Sequence, residues 1–545
     1  MKGDEDLGRD RGIDFETDDE ENQAETVYDD DDDETESDVT APPSRSVSMY
    51  QNIDNPTWPQ SYRRSMDMYT SATPPAVGFL TASFLSSAHK RPQAVNSSVA
   101  TDQYHSQNEP LLSTAISLDK DEVPTSYLPG EKLSATNSMQ LSWLSVSQSI
   151  PPLQQCSYAQ ALLNAINVLC GIGLLSTPYA LKQGGWWSLT ILFVFAFITC
   201  YTGILLKRCL ESSPGLQTYP DIGQAAFGIP GRIFLSIFLY IELYSSCVEY
   251  LIMMGDNLSA LFPNANTNFA GIHLNSYQLC MIICTLVILP TVWLRNLSLL
   301  SFISVGGVLT AVAVSFCLLW VGVVDQVGFH PNGTALDLAK LPITVGLFGF
   351  CYGSHSVFPN IYSSMKEPSK FPSVLIISFA TSCLLYAAVA ICGFLMFGPA
   401  TKSQFTLNMP TRFVASKVAA WTTVVAPVTK YALTITPVAF SLEELLPSAP
   451  DSSYRISILV RTILVFSTLV VALAVPYFGS VMAIIGSLLV MLIALIFPCA
   501  CYLSICGQRL TKLQIWVCIF VMNVGLICAI VGTYSAITTI GDEKA

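Results

Sequence analysis

From Tyr158 onward the sequence alternates between long apolar stretches and short polar connections. A helix needs about 20 predominantly apolar residues to cross a hydrocarbon core of roughly 30 Å. The pattern predicts about eleven membrane-spanning segments, numbered here as spans 1 to 11. They run from Tyr158 to Leu181, Trp186 to Leu206, Ile233 to Phe262, Tyr277 to Trp293, Ser298 to Val324, Leu341 to Tyr362, Pro372 to Phe397, Lys417 to Leu446, Ile456 to Pro476, Gly479 to Leu503 and Leu513 to Ile537. The expected fold class is an all-α polytopic membrane protein.

The first 140 residues have a different composition. They carry 27 acidic and 10 basic residues, include the run Asp29 to Glu34, and show no apolar periodicity. Such a segment buries too little apolar surface to offset the entropy of ordering, so residues 1–150 are predicted to form a disordered acidic tail and residues 151–545 the transmembrane domain. No signal-peptide pattern opens the chain, so span 1 is expected to act as the insertion signal and to leave the tail in the cytosol.

The remaining charges give the predicted orientation. Connections on the tail's side of the spans carry about ten Lys and Arg residues against about six on the other side, which agrees with the positive-inside rule. An odd number of spans then places the C-terminus in the lumen. The sequon Asn332-Gly333-Thr334, between spans 5 and 6, falls on the lumenal side and is a candidate glycosylation site.

The composition and motifs also exclude several classes of protein. The chain is 51% hydrophobic and 12% charged, which is outside the range of soluble globular proteins. None of its 16 cysteines precedes Cys156, and most lie in apolar stretches, so a disulfide framework is not expected. Zinc, nucleophile-elbow and phosphate-loop motifs are missing from the sequence. We therefore predict that the protein is not an enzyme and has no catalytic residues, metal site or organic cofactor.

Spans 1 and 6 contain helix-breaking sequences. Gly171 and Gly173 precede Pro178 in span 1, and Gly353 precedes Pro359 in span 6. These are corresponding members of two five-span halves with an eleventh span appended, which indicates an inverted repeat whose broken helices expose backbone groups to a substrate. Tight helix packing by small residues is the alternative. The residues predicted to bind substrate are Asn167, Gly171, Ile172, Gly173, Ser176, Gly349, Gly353 and Ser354.

Three acidic residues of span 3 are seven residues apart: Glu242, Glu249 and Asp256. Steps of seven drift only about 20° around a helix, so the three share one face, which is costly to point at lipid. A carboxyl group held away from water can exchange protons as access alternates, so Glu242 and Glu249 are candidates for proton coupling. A structural hydrogen bond to a neighbouring helix is the alternative. Asp256 is interpreted as an interfacial helix-end residue.

Two further ionisable residues lie inside spans. Lys430 is the base deep in span 8, and it is predicted either to take part in proton coupling or to form a structural ion pair with Glu242 or Glu249. His355 follows the break in span 6 and could respond to the proton supply, although packing is the alternative for a single histidine.

The pattern Asn167-x-x-x-Gly-x-Gly-x-Leu-x-x-Pro178 resembles the amino acid and auxin permease superfamily. The segments from Ile241 to Glu249, Gly353 to Tyr362 and Thr429 to Pro437 are similar to the vacuolar amino acid transporters of plants and fungi, relatives of the vesicular inhibitory amino acid transporter. The resemblance implies eleven spans, the inverted-repeat fold of the bacterial leucine transporter, a vacuolar membrane location and proton-coupled transport of neutral amino acids. Where sodium-coupled members use the asparagine matching Asn167 to hold Na⁺, Lys430 argues against the same role here.

The resulting hypothesis is a secondary active transporter that carries neutral amino acids into the vacuole by antiport with protons, with amino acids and the bilayer as its partners and no role for nucleic acid. An exporter from the vacuole and a sodium-coupled or uniporting permease are alternatives within the same class. A membrane receptor that senses amino acids is an alternative from another class. The sequence does not define the oligomeric state.

Overall fold

The apolar stretches fold into helices because backbone N–H and C=O groups inside a membrane must find their partners within the protein. A computed structural model describes residues 58–59, 62–63, 65–66, 156–269, 272–294, 306–330, 333–446 and 453–544. The predicted tail lies outside the described residues except for the six between 58 and 66. The predicted start of span 5 and the sequon residue Asn332 lie outside them as well.

Fourteen α-helices of the described residues carry the fold, together with a π-helix and short 3₁₀ turns. They are α1 (Tyr158–Leu169), α2 (Gly173–Gly184), α3 (Leu189–Leu210), α4 (Tyr219–Leu261), α5 (Ser276–Trp293), α6 (Gly306–Val323), α7 (Leu341–Cys351), α8 (Phe358–Ser364), α9 (Phe371–Phe397), α10 (Val414–Leu445), α11 (Ser453–Ala474), α12 (Phe478–Ile484), the π-helix Ile485–Ile496, α13 (Phe497–Cys506) and α14 (Lys512–Lys544). An antiparallel pair of strands, β1 (Thr267–Phe269) and β2 (Ile272–Leu274), connects α4 to α5.

The helices match the predicted spans. Within the described residues, nine helices are long and apolar enough to cross a membrane, and the bent pair α1 and α2 forms a tenth crossing with a 47° angle between its halves. Span 6 consists of the short apolar helix α7 followed by α8. Span 10 is the continuous series of α12, the π-helix and α13. The all-α polytopic fold class is confirmed.

Helix α4 is longer than predicted span 3 because it includes a segment before the membrane crossing. Thr218 and Asp221 form a capping box at its start. Gly228 then adopts φ 72° and ψ −162°, a left-handed conformation open mainly to glycine, and Pro230 follows it. The chain changes direction at this kink, so the crossing itself begins after it.

The packing of the spans repeats when the span numbers are shifted by five. Span 1 packs on span 7, and span 6 packs on span 2. Span 3 packs on span 10 and span 8 on span 5, while span 4 packs on span 8 and span 9 on span 3. Because five is an odd number, equivalent spans cross the membrane in opposite directions. The neighbour relations are those of two inverted five-span halves, with span 11 packed on span 10.

Candidate substrate site

The two broken helices lie against each other. α2 packs along α7, and a Cβ atom built on Gly173 would stand 3.0 Å from Sγ and 3.1 Å from Cα of Cys351. A side chain at position 173 would need one of the two helices to shift by a few tenths of an ångström, so glycine favours this approach. The breaks predicted from the sequence in spans 1 and 6 are adjacent in the structure.

A tyrosine of span 7 joins the two breaks. The hydroxyl group of Tyr386 donates to the carbonyl of Leu169, at the end of α1, and lies 3.2 Å from the carbonyl of Cys351, at the end of α7. The tyrosine side chain is fully buried. One O–H group shared by two carbonyls couples the positions of the two broken spans.

A cavity of about 680 Å³ lies at the breaks. Spans 1, 3, 6, 8 and 10 contribute to its walls. Five of the predicted substrate-binding residues and one predicted coupling residue line it: Gly171, Ile172, Gly173, Gly353, Ser354 and Glu242.

The helix ends give this cavity its polarity. α2 begins at the cavity-lining Gly173, and the first N–H groups of a helix have no intrahelical acceptors and form the positive end of the helix dipole. α1 ends at Leu169 and α7 at Cys351, and both residues line the cavity, so two carbonyl-rich helix ends border it as well, with the carbonyls of Leu169 and Cys351 themselves bonded to Tyr386. N–H groups suit a carboxylate and C=O groups suit an ammonium, so the cavity can hold a zwitterion.

Glu242 is the predicted coupling residue that lines this cavity. Its side chain is 6% exposed, and its Oε2 atom has no hydrogen-bond partner among the described residues. Ser246 and Tyr250, at positions i+4 and i+8 on the same face of α4, also line the cavity. A carboxyl group at the cavity wall with one oxygen uncommitted can bind and release a proton, or contact a bound ammonium group.

Glu249 is placed differently. Its side chain is completely buried, and neither carboxyl oxygen has a hydrogen-bond partner in the part of the chain that the structure describes. It does not line the cavity at the breaks, whereas the next residue, Tyr250, does. Asp256 accepts a hydrogen bond of 2.7 Å from Nε2 of Gln404 at the far end of the helix. Only one of the three acids in span 3 is thus at the cavity.

Lys430 and Asn167 converge on span 5. A Cβ atom built on Gly307 would collide with Oδ1 of Asn167 and stand 3.1 Å from Cε of Lys430. Among the described residues, no ion pair joins Lys430 to Glu242 or Glu249 within 4.0 Å. The lysine instead lines a second, largely apolar cavity of about 460 Å³. This cavity shares Gly171, Ile172 and Tyr250 with the cavity at the breaks. The structural ion pair considered from the sequence is not formed.

His355 connects span 6 to span 2. Its Nε2 atom lies 3.0 Å from Oγ1 of Thr202 and 3.1 Å from the carbonyl of Thr199. The ring is fully buried and packs edge to face against Phe358 at 5.2 Å between centroids. Because the carbonyl can only accept, Nε2 carries the hydrogen in this arrangement. The ring does not line either cavity described above.

Two further predicted residues make packing contacts. The hydroxyl of Ser176 donates to the carbonyl of Gly173 at 3.1 Å, within α2. Gly349 faces span 10, where a Cβ atom would collide with the end of the Met491 side chain and stand 3.1 Å from the carbonyl of Gly486. Neither residue lines the cavity at the breaks.

The sequence reasoning missed several polar groups of the site. Four of them line the cavity: Ser246, Tyr250, Ser356 and Thr434. The fifth, Tyr386, links the two broken helices by hydrogen bonds. Ser246 and Tyr250 could have been identified from the sequence, because they follow Glu242 at steps of four residues and so share its face of the helix. Ser356 and Thr434 lie in the segments Gly353 to Tyr362 and Thr429 to Pro437, where nothing in the sequence separates them from the neighbouring polar residues, and Tyr386 is a polar residue in an apolar span.

The sequence matches the family described as transmembrane amino acid transporter protein over residues 154–538. Amino acid transporter AVT1D of Arabidopsis thaliana is 54% identical over 516 residues, covering 93% of this chain and 91% of that protein. Amino acid transporter AVT1C of the same plant is 48% identical over 549 residues, covering 98% of each. Among solved structures, a Na⁺-coupled sialic acid symporter aligns at a TM-score of 0.41 with 13% identity, over 69% of this chain and 89% of the symporter. A TM-score this low supports no conclusion about this chain.

Proposed function

We infer that this chain, which belongs to the transmembrane amino acid transporter family, moves neutral amino acids across the vacuolar membrane in exchange for protons. The observation that carries the proposal is the shared cavity: both helix breaks and Glu242 line it. A free amino acid has both a carboxylate and an ammonium group, and the cavity is bordered by the N–H end of one helix and the C=O ends of two others. Membership in a transporter family agrees with the prediction that the protein is not an enzyme.

Alternating access explains how such a cavity transports. The two broken spans contact each other at Gly173 and Cys351 and are fastened by Tyr386, so spans 1 and 6 can move as one body against spans 3 and 8. Substrate and proton bias which side of the membrane is open by binding one state more tightly than the other. Glu242 can bind the proton and contact the substrate, because its side chain lines the cavity from span 3.

Proton coupling rests on the position of Glu242. A neutral carboxyl group is the less costly form in a cavity removed from water, and contact with bulk solvent on one side favours release of its proton. A substrate ammonium beside the carboxylate would favour the ionised form, which links substrate binding to proton release. This linkage is what antiport requires: one ligand leaves as the other binds.

The vacuolar location and the inward direction are proposed from the motif resemblance to vacuolar transporters. A cytosolic tail places the end of span 6 and the start of span 1 on the cytosolic side. Filling an acidic compartment by exchange is driven by protons leaving that compartment, and neutral amino acids match a cavity with one carboxyl side chain.

The test is uptake into proteoliposomes of defined internal pH. Vesicles with an acidic interior should accumulate neutral amino acids, and a protonophore should abolish the accumulation. Acidic and basic amino acids in the same panel define the charge preference. Accumulation driven by a Na⁺ gradient without a pH gradient would contradict proton coupling, and no amino acid flux under either gradient would contradict transport.

A further inference from the structure

Part of the predicted tail is buried in the transmembrane bundle. Of residues 58–66, called here the docked segment, the structure describes 58–59, 62–63 and 65–66. Tyr62, Ser65 and Met66 are at most 1% exposed. Trp58 packs against the same buried cluster. Burial this complete is uncommon for residues in a highly charged tail and indicates a specific contact.

Two aromatic side chains anchor the segment to different spans. Nε1 of Trp58 donates to the carbonyl of Ser441, near the end of span 8, at 3.0 Å. The hydroxyl of Tyr62 donates to the carbonyl of Ser356, beside the break in span 6, at 3.2 Å. Both acceptors are backbone atoms, so the contact depends on where the two spans stand relative to each other.

A third anchor comes from the start of span 3. Nη2 of Arg232 donates to the carbonyl of Pro59 at 2.9 Å. Nη1 of the same guanidinium group forms a 2.6 Å ion pair with Asp221 and a 3.1 Å hydrogen bond to Gln224. The ion pair fixes the guanidinium plane, so its second nitrogen is already directed at the tail.

The aromatic rings fill the space between these anchors. Tyr240 of span 3 packs against Trp58 at 5.7 Å and against Tyr62 at 5.9 Å between ring centroids. Tyr62 also lies within electrostatic reach of Glu242. Aromatic pairs at these separations contribute beyond the area that they bury.

The docked segment lies directly next to the cavity. Ser356 lines the cavity and accepts the hydrogen bond of Tyr62, and Glu242 lines the cavity from span 3. Span 6 runs from the break toward the tail's side of the membrane. The end of span 8 and the start of span 3 lie on that side as well. Tyr62 therefore occupies the layer between the cavity and the compartment that contains the tail.

We propose that the described residues of the docked segment form a plug that closes the tail-side entrance of the substrate cavity and restrains transport until it leaves. The proposal rests on the proposed function, because a plug has a purpose only if the cavity carries substrate. The plug is bonded to spans 3, 6 and 8, and opening the cavity on the tail's side requires span 6 to move away from spans 3 and 8. Docking thus blocks the route and opposes the movement that would open it.

Ser65 gives the plug a means of release. Its hydroxyl is buried and donates to the carbonyl of Tyr62 at 2.9 Å, one turn back. A negative charge at this position, from a phosphate or an aspartate, would replace a buried neutral hydroxyl and would lose its hydration on docking, so it would favour the undocked state. Removing the hydroxyl alone costs one short-range hydrogen bond and leaves the anchors in place.

The first test measures amino acid uptake by full-length variants in proteoliposomes. Trp58→Ala with Tyr62→Ala removes two hydrogen bonds and the aromatic contacts, which should weaken docking by about tenfold or more. Initial uptake should rise by about twofold or more if the docked state is the major one. Ser65→Asp should have the same effect, whereas Ser65→Ala and Tyr50→Ala, outside the docked segment, should leave uptake unchanged. Misfolding cannot produce a gain in rate.

The second test measures docking without any flux. A fluorescent peptide of residues 56–68 should bind saturably to the Trp58→Ala, Tyr62→Ala chain and suppress its raised uptake. The same peptide carrying Tyr62→Ala should bind about tenfold more weakly. A peptide that does not bind would overturn docking, whatever the transport assay gives.

The outcomes separate the plug from the proposed function. Uptake that is present and equal in the wild-type chain and the double variant would overturn the restraint while leaving transport intact. Uptake absent from every chain would overturn the proposed function and the gating role with it. Uptake that rises in the double variant and in Ser65→Asp, and falls again with the wild-type peptide, would support the plug.

Discussion

Gly173 of span 1 lies so close to Cys351 of span 6 that a Cβ atom on the glycine would come within 3.1 Å of both Cα and Sγ of the cysteine. The two residues belong to opposite halves of the inverted repeat, and each borders the break of its own span. One close contact between the halves is therefore at the substrate cavity. A cavity built from two broken helices depends on this contact, because separation of the breaks would separate the N–H and C=O groups that they present.

Gly173→Ala should abolish most transport. Its methyl group meets the backbone of Cys351 as well as the thiol, and overpacking of this kind costs about 1–3 kcal/mol. Initial uptake per correctly folded molecule should fall severalfold, because fitting the methyl group moves the two breaks apart by a few tenths of an ångström and displaces the groups that they present to the cavity. Cys351→Ala in the same chain should not restore uptake, because the contact with Cα remains. Gly215→Ala, which meets nothing within 4 Å, is the control.

Tyr386→Phe should loosen the two breaks without unfolding the chain. The ring keeps its edge-to-face contact with Tyr352, but the hydroxyl that bridges Leu169 and Cys351 is lost. Two buried carbonyls then lose a donor, at a cost of about 1–3 kcal/mol. We expect the apparent KM for amino acids to rise about tenfold and the unfolding temperature to fall by a few degrees.

Tyr158→Phe is the matched control for this change. Its hydroxyl also makes an interhelical hydrogen bond, to Ser373 at 3.0 Å, but in an exposed position. Uptake by this variant should be the same as by the wild-type chain. A KM that is equally unchanged in Tyr386→Phe would show that the bridge between the breaks has no part in substrate binding.

Much of the framework could be predicted from the sequence because it depends on local patterns. Span positions follow from apolar length, and the breaks follow from glycine and proline near the middle of spans 1 and 6. What the sequence could not give is which face of each helix meets a neighbour. Gly173 and Gly349 look equivalent in the sequence, yet the first borders the cavity and the second packs on span 10.

The docked segment shows the same limit on a larger scale. Composition averaged over the first 140 residues is dominated by acidic side chains, and a short aromatic motif around Trp58 and Tyr62 does not alter that average. Its burial comes from a surface made by spans 3, 6 and 8, which are distant in sequence. No periodicity within the segment could indicate a partner of that kind.

His355→Ala should affect stability more than coupling. The ring bonds Thr202 and the carbonyl of Thr199 in span 2 and lines neither cavity. Its removal leaves a buried void, which should lower the free energy of unfolding by about 2–4 kcal/mol. The ratio of uptake with and without a pH gradient should stay at the wild-type value. A lost pH response in a chain of normal stability would instead assign the histidine to coupling.

Glu242→Gln and Glu249→Gln should separate coupling from burial. Both changes are nearly isosteric and remove one ionisable group from span 3, but only Glu242 lines the cavity. We expect Glu242→Gln to exchange amino acids between the two sides of the vesicle while losing the response of net uptake to a pH gradient. Glu249→Gln should keep that response and unfold at an equal or higher temperature, because it replaces a carboxyl group that has no hydrogen bonds among the described residues.

The pair is informative because each variant is the control for the other. Exchange and gradient-driven uptake are measured on the same vesicles, so a general loss of active protein lowers both and is recognised. If Glu249→Gln abolished the pH response and Glu242→Gln retained it, the proton would have to reach the substrate site from a carboxyl group outside the cavity. Coupling would then run through the packing of span 3 against its neighbours, and direct contact between proton and substrate at Glu242 would be excluded.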